Sequence, residues 1–274
     1  MFTRETYIQR RSTLKKSFGT GLLVFLGNDE CGMNYRDNTY HFRQDSTFLY
    51  FFGLSFAGLC AVIDIDEDRE IIFGDELTID DIVWMGTQPS LREKASMIGI
   101  SETRPLSSFA SYIEGALKKS QKVHYLPAYR PEHEIKLSAA LGCRIHELHP
   151  SEDFIKAVVN MRNYKSAEEI CEIERACDVT ADMHIAAYKA LRVGMKEYEI
   201  AAIVQAVAKS NACELSFPTI ATVCGQTLHN HYHGHEVKDG DMLLLDAGAE
   251  TSMGYAGDMS STICAGKHFT KRQK

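Results

Sequence analysis

Two aspartates flank a glycine-rich turn in the stretch LLLDAGAETSMGYAGDMSST, which spans residues 243–262. Asp246 ends an apolar run, and Asp258 opens a β-rich run after the turn. Two strands joined by a short connection bring such residues within reach of each other. Two buried carboxylates side by side repel each other unless a cation lies between them. Hard divalent ions such as Mn²⁺ or Mg²⁺ bind carboxylate oxygens, so the pair predicts a metal site.

The spacing alone supports a second interpretation equally well. Asp-Gly and Gly-Asp are common in turns, where the carboxylate caps backbone N–H groups. From the residues alone, both interpretations stay open. The run MLLL before Asp246 is apolar enough to predict a strand buried on both faces, where an ionised carboxylate needs a partner.

Histidine recurs at every second position of LHNHYHGHE, at residues 229, 231, 233 and 235. In an extended segment alternate side chains point the same way, so His229 and His233 could line the same cleft as His231, the alternative being loop histidines that face solvent. A separate histidine-rich zinc site is a weaker interpretation, since the aspartates account for a metal without it. His235, beside Glu236, is predicted to face solvent. His184 is predicted to be a hydrogen-bonded residue on a helix face.

The first half of the sequence alternates between β-rich runs and helix-like stretches. The β-rich runs lie at 21–27, 47–53, 59–65, 70–74, 122–127 and 143–148, and the helix-like stretches near 90–98, 107–119 and 131–142. Such alternation predicts a mixed α/β domain. The aromatic residues of the second run are expected to pack in its core rather than to form a ligand-stacking surface.

The pattern changes near residue 150. Ser166 and Glu169 form a capping-box signature, and helical periodicity follows it. A second helix is predicted at about 196–210, and sheet runs follow at 217–225, 241–248 and 258–266. We therefore predict two domains, residues 1–154 and 155–274.

Composition excludes several classes of protein. The formal net charge is −7, which disfavours a nucleic-acid partner. No apolar run approaches the roughly 20 residues that span a bilayer, and the polar start does not suggest a secretory signal. The eight cysteines are scattered, which favours reduced thiols and a cytoplasmic location.

The motif LLLDAGAE…GYAGDMSST resembles the signature of the M24, or pita-bread, metallopeptidases, and in particular of aminopeptidase P and prolidase. NTYHFRQDSTFLYFFGL (38–54) is similar to the N-terminal domain of aminopeptidase P, and MRNYKSAEEICEIERAC (161–177) resembles the first helix of the catalytic domain. Methionine aminopeptidases share the aspartates but lack such an N-terminal domain. The resemblance implies an α/β (α+β) fold, with a creatinase/aminopeptidase-P-like N-terminal domain before the first half of a pita-bread domain.

The same resemblance implies the chemistry. Asp246 would chelate one metal ion and Asp258 would bridge two, with Mn²⁺ preferred. His231, in a His-Tyr pair, would contact the substrate and stabilise the transition state without binding metal; His229 and His233 have weaker claims to a role in this site. The reaction would be two-metal hydrolysis of a peptide with proline in second position, by an Xaa-Pro aminopeptidase or alternatively an Xaa-Pro dipeptidase. The resemblance also implies a homodimer or a larger homo-oligomer.

The sequence departs from the family pattern in two ways. The hairpin between Asp246 and Asp258 is one residue longer than usual, and we expect its turn to absorb the difference. The family's remaining ligands, one histidine and two glutamates, have no match before Lys274, so we expect a fragment that is inactive alone. A non-catalytic binding module and a metal-free creatinase-like hydrolase are rival readings, both disfavoured because the aspartate pair and His231 are retained.

Overall fold

The computed structural model describes residues 1–266 and 268–274, which form two compact units, Met1–Tyr164 and Lys165–Lys274. The first unit contains strands β1 (Leu22–Leu26), β2 (Gly32–Tyr35), β3 (Asn38–Thr39), β4 (Cys60–Asp64), β5 (Arg69–Phe73), β6 (Glu102–Arg104) and β7 (Val123–Tyr125). Its helices are α1 (Arg4–Lys15), α2 (Ser46–Phe52), α3 (Ile79–Met85), α4 (Leu91–Met97), α5 (Phe109–Lys118), α6 (Pro131–Leu141) and α7 (Glu152–Asn163), with short 3₁₀ turns at Leu106–Ser108 and Ile145–Glu147.

A five-stranded mixed sheet organises the first unit, in the order β6-β5-β4-β1-β7. The β1–β4 and β4–β5 pairs are antiparallel, and the β1–β7 and β5–β6 pairs are parallel. Alternate residues of each strand enter different cores. Leu23 and Phe25 pack with α1, α2, α4 and α7, whereas Leu22 and Val24 pack with α5 and α6. The predicted α/β domain is therefore a sheet covered by helices on both faces.

The aromatic run at 47–53, predicted as a strand, forms helix α2 instead. Asp45 caps the helix by accepting a hydrogen bond from the Phe48 N–H at 2.8 Å. Gly53 ends it in the left-handed region, at φ 64°, and a Cβ there would lie 2.3 Å from the Tyr7 ring. Phe48, Phe51 and Phe52 are fully buried, so the expectation of core packing is confirmed. The residues are as apolar as a core strand, but the local cap and stop signals select a helix.

Two other sequence expectations differ from the structure. The run at 143–148 forms a 3₁₀ turn rather than a strand, closed by a hydrogen bond from the Arg144 N–H to the Glu147 carboxylate. The predicted boundary near residue 155 falls inside α7. Phe154 of that helix is fully buried against Phe25 and Phe18, so α7 belongs to the first unit.

The second unit begins with the predicted capping box. The Ser166 N–H donates to the Glu169 carboxylate at 2.9 Å, and the Glu169 N–H donates to the Ser166 hydroxyl at 3.3 Å. The elements that follow are α8 (Ala167–Ala190), α9 (Glu197–Ser210), β8 (Glu214–Leu215), β9 (Ile220–Thr222), β10 (Asp241–Ala247), β11 (Ala249–Glu250) and β12 (Met259–Ala265). An antiparallel sheet in the order β12-β10-β9 packs one face against α8 and α9, and β11 pairs with β8. In the part of the chain that the structure describes, no helix has the length and apolar character that a bilayer crossing requires.

Candidate metal centre

The hairpin of β10 and β12 places the two candidate carboxylates on one face of the sheet. Asp246 pairs with Ser260, and the next pair along is Ala247 with Met259. Continued by one step, this register sets Asp258 opposite Gly248. Because side chains alternate between faces, Asp246 and Asp258 lie diagonally across the same face, at a typical Cα separation of about 7–8 Å.

That face is not the buried one. Leu243, Leu245 and Ala247 of β10 are fully buried in the core with α8 and α9, whereas Asp246 is half-buried and Asp258 is exposed. The expectation that β10 is buried on both faces is therefore wrong, because helices cover one side of the sheet. The carboxylates occupy the side that is open to a ligand.

One carboxylate oxygen of Asp246 has no hydrogen-bond donor in the part of the chain that the structure describes. Asp246 Oδ1 is buried and accepts no hydrogen bond from any of the described residues. A buried carboxylate oxygen without a donor is costly, and a cation is a favourable partner for it. The donor set of two carboxylates suits a hard divalent ion. Among residues 1–266 and 268–274, however, no three or more His, Cys, Asp or Glu side chains gather in a metal-binding group.

Close steric contacts explain why glycine occupies positions 248 and 257. A Cβ on Gly248 would lie 1.9 Å from the Gly257 carbonyl oxygen, and a Cβ on Gly257 would lie 2.4 Å from Thr180 Oγ1. Thr180 donates to the Ala176 carbonyl at 2.8 Å and accepts from the Ala249 N–H at 2.9 Å. The two hairpin strands and α8 thus approach too closely for any larger residue at 248 or 257.

The hairpin ends in a short, regular tip. The Gly257 N–H donates to the Ala249 carbonyl and the Thr251 N–H to the Tyr255 carbonyl, both at 2.8 Å, so the strand register continues unbroken to the turn. Residues 252–254 form a three-residue tip, with Gly254 at φ 76°. A left-handed residue at the end of such a tip is usual in three-residue hairpins. The predicted absorption of the difference by the turn is consistent with this geometry.

His184 ties α8 to both strands. It is 2% exposed; its Nε2 donates to the Ala247 carbonyl at 3.3 Å, and its Nδ1 lies 2.7 Å from the Ser261 hydroxyl. The predicted role of a hydrogen-bonded helix-face residue is confirmed. Its contact to Ala247 fixes the backbone next to Asp246.

The histidine-rich segment forms a loop after β9. His229 and His231 are exposed, and their rings make no hydrogen bond or ion pair with the described residues. His233 is half-buried, and its Nε2 donates to the Thr219 carbonyl at 3.1 Å. Because Thr219 precedes Ile220, which pairs with Asp246, the loop folds back along β9 toward the carboxylate end of the sheet.

The prediction that His235 faces solvent is correct only in part, because its side chain is 41% exposed but its ring is held by a buried carboxylate. Its Nδ1 lies 2.9 Å from Oε2 of Glu197, a side chain with 0% exposure, and its backbone N–H donates to the same oxygen at 3.0 Å. The other oxygen of Glu197 accepts from the Thr222 hydroxyl at 2.9 Å and from the Val223 N–H at 2.8 Å. Glu197 therefore holds both ends of the loop that carries His231.

Electrostatics explain how Glu197 stays ionised inside the protein. Burial raises its pKa, but hydrogen bonds from the Val223 and His235 N–H groups, the Thr222 hydroxyl and the His235 ring outweigh burial, and the pKa is lowered overall. Sequence reasoning missed this residue. The signal was slight: a glutamate at the first position of α9, whose partners lie 25 to 38 residues away.

The sequence matches two families over most of its length. The N-terminal domain of aminopeptidase P matches residues 7–125, and metallopeptidase family M24 matches residues 171–274. The chain is 26% identical to the Xaa-Pro aminopeptidase of Escherichia coli (strain K12), over 99% of this chain and 64% of the relative. It is 25% identical to the human Xaa-Pro dipeptidase, over 92% of this chain and 52% of the relative.

Solved structures give the same picture. Proline aminopeptidase P II from Yersinia pestis has a TM-score of 0.85 at 24% identity, over 98% of this chain and 64% of that one, which shows the fold. The His354Ala variant of Escherichia coli aminopeptidase P has a TM-score of 0.84 at 25% identity, with the same coverage. The chain thus spans about half to two thirds of the length of these relatives.

The predicted fold is confirmed, with an aminopeptidase-P-like N-terminal unit before a pita-bread half, and the M24 family implies divalent metal ions. With both family matches on one chain in this order, the protein belongs to the M24 metallopeptidases of the aminopeptidase P and prolidase type.

Proposed function

We propose that the protein is an Xaa-Pro aminopeptidase that releases the N-terminal residue from peptides with proline in second position. One observation carries the proposal most directly: Asp246 and Asp258 share the open face of one hairpin, and Asp246 Oδ1 has no protein donor. The relatives named Xaa-Pro aminopeptidase support the substrate class.

Asp246 and Asp258 are the residues that would hold two divalent ions, and we propose Mn²⁺. Ions bound there would lower the pKa of a shared water and polarise the scissile carbonyl. The exposed ring of His231 is free to donate a hydrogen bond to the substrate carbonyl, and His229 is exposed in the same loop. A peptide bond to proline has no N–H, so its leaving nitrogen must be protonated as the bond breaks.

Metal binding tests the two aspartates. Two carboxylates alone bind a divalent ion weakly, so we expect the 274-residue chain to bind Mn²⁺ weakly and to turn over little or no substrate. Calorimetry with Asp246→Asn or Asp258→Asn should show the remaining affinity lost. Asp239→Asn is the matched control, since Asp239 is exposed at the other end of β10. Equal Mn²⁺ affinity in all three variants would contradict the proposal that Asp246 and Asp258 bind the metal.

Activity is measured on the protein expressed from its complete gene. Release of the first residue from an Xaa-Pro-containing tripeptide in the presence of Mn²⁺ is the expected result. The human dipeptidase relative supports an alternative, an Xaa-Pro dipeptidase, which would cleave only the dipeptide. A protein that binds peptides but cleaves neither substrate would instead be a non-catalytic module. His231→Ala should lower kcat with little change in Mn²⁺ affinity, because His231 is proposed to contact substrate and not metal.

We also propose a homo-oligomer in the cytoplasm. Ile79, Val83 and Trp84 of helix α3 are 80%, 75% and 86% exposed, an apolar surface of the kind that a partner subunit covers. All eight cysteines are free, as is usual in a reducing compartment. Light scattering on the wild type and on Trp84→Glu tests the assembly; a monomeric wild type would contradict it.

A further inference from the structure

Three side chains of the second unit stand in line beside the histidine-rich loop. Cys224 Sγ lies 4.0 Å from His235 Nε2, within hydrogen-bonding range for sulfur. On the other side of the ring, His235 Nδ1 lies 2.9 Å from Glu197 Oε2. A thiol, an imidazole and a carboxylate in this order have the arrangement of an activated nucleophile with its base and the group that orients the base.

The carboxylate selects the tautomer of the ring. Glu197 is ionised, since hydrogen bonds outweigh burial and lower its pKa, and an ionised carboxylate only accepts hydrogen bonds. His235 Nδ1 must therefore carry the proton. In the neutral ring Nε2 is then an acceptor, and the group it faces at hydrogen-bonding distance is the Cys224 thiol. The thiol thus lies at the outer limit of hydrogen-bonding distance from a nitrogen that can accept its proton.

Glu197 also sets the spacing of thiol and base. Its Oε2 anchors His235 through the backbone and the ring, and its Oε1 anchors the Thr222 hydroxyl. The Cys224 N–H donates to that same hydroxyl at 3.0 Å, and the Cys224 carbonyl accepts from the Thr227 N–H at 3.0 Å. One buried carboxylate therefore positions both the backbone that bears the thiol and the ring that serves it.

The site is accessible from solvent. Cys224 is half-buried, and the His235 side chain is 41% exposed. The Tyr232 ring meets the imidazole edge to face, with centroids 5.0 Å apart. A half-buried thiol favours a small electrophile over a bulky one. None of the three residues belongs to the aspartate pair, and the thiol and the imidazole have no part in the proposed peptidase reaction, although Glu197 also holds the loop that carries His231.

We propose that Cys224 is a base-activated thiol and a modification site for hydroperoxides. In the reaction the sulfur attacks one peroxide oxygen as His235 Nε2 takes the thiol proton. The O–O bond breaks, an S–O bond forms, and the leaving oxygen takes the proton back from the imidazolium. The thiol is oxidised by two electrons to a sulfenic acid, and the hydroperoxide is reduced by two electrons to water or an alcohol.

The other cysteines of the chain provide internal controls. The intact protein is exposed to limiting hydrogen peroxide at neutral pH with a sulfenic-acid trap, and each cysteine is followed by peptide mass spectrometry. We expect Cys224 to react about tenfold or more faster than the exposed Cys31, Cys171 and Cys177, since general-base assistance commonly contributes that much or more. A half-buried thiol without a base would react more slowly than exposed ones. Oxidation of Cys224 at or below their rate overturns the proposal.

The variant His235→Gln tests whether His235 is the base that activates the Cys224 thiol. It removes the base and keeps a polar side chain, and Cys224 oxidation should then fall at least about tenfold while Cys31 and Cys171 are unchanged. Rapid oxidation of Cys224 in this variant would overturn the role of His235. Labelling of the buried Cys60 and Cys213 reports unfolding. If His235→Gln unfolds, His235→Asn replaces it. The relative oxidation rates of the cysteines in the wild type still decide whether the Cys224 thiol is activated.

Discussion

Replacing Glu197 by glutamine tests whether one buried carboxylate holds the loop that carries His231. Glutamine has almost the same shape but exchanges one acceptor oxygen for an N–H₂ donor. Each oxygen of Glu197 accepts two hydrogen bonds, and each set includes one backbone N–H, from Val223 or from His235. Whichever oxygen is lost, one backbone N–H faces a donor instead of an acceptor.

The cost follows from these contacts. The Thr222 hydroxyl can rotate and the His235 ring can change tautomer, so both can adapt to the amide. The backbone N–H cannot, and a buried unsatisfied donor costs about 1–3 kcal/mol. The hydrogen bonds that remain change from charge-assisted to neutral, which removes about 1–2 kcal/mol more. We expect the free energy of unfolding of the second unit to fall by about 2–5 kcal/mol.

Hydrogen exchange detects the effect at the amides concerned. If opening of the loop governs exchange, a loss of about 2 kcal/mol speeds exchange at Val223 and His235 about thirtyfold. Glu236→Gln is the control. Its side chain is 53% exposed and pairs with Lys196 at 3.1 Å, so its loss should cost about 0–1 kcal/mol. The reasoning fails if Glu197→Gln and Glu236→Gln give the same exchange rates and the same urea midpoint.

Three further predictions concern stability. Gly248→Ala forces a Cβ to within 1.9 Å of the Gly257 oxygen and should cost at least about 1–3 kcal/mol in urea unfolding, with weaker Mn²⁺ binding. Burial lowers the pKa of His124 and His133, so as the pH falls the unfolded chain binds protons before the folded one does. The free energy of unfolding therefore has its full value above about pH 6.5 and should decrease as the pH drops below it. Thermal scans at pH 5 and pH 7.5 check this. Arg11→Met removes two buried hydrogen bonds to the Phe51 and Ile98 carbonyls and a partly buried one to Glu70, which keeps Lys15 at 3.3 Å, and should cost about 2–5 kcal/mol by urea titration.

The sequence was informative where local signals and burial agree. The capping box at Ser166 and Glu169 formed as expected, since its two hydrogen bonds join residues only three positions apart. The apolar run before Asp246 formed strand β10, and the hairpin followed from the short connection. The roles of Asp246, Asp258 and His231 stay predictions that the register and the exposed loop support.

Long-range contacts account for what the sequence did not reveal. The sequence predicts a strand in place of helix α2 because a buried aromatic run has no period that separates the two, and only the Asp45 cap and the Gly53 stop distinguish them. Glu197 looked like an ordinary first-turn glutamate, because all four of its donors come from distant residues. The open face of β10 was missed because an apolar strand does not reveal on which side its helices lie.

The hairpin keeps its register up to the Thr251–Tyr255 pair, and only residues 252–254 lie beyond it. Its tip is therefore a suitable site for an insertion. A short peptide tag or a fluorophore introduced between Ser252 and Met253 should leave both carboxylates where they are, and would report from just outside the pair that is proposed to bind metal.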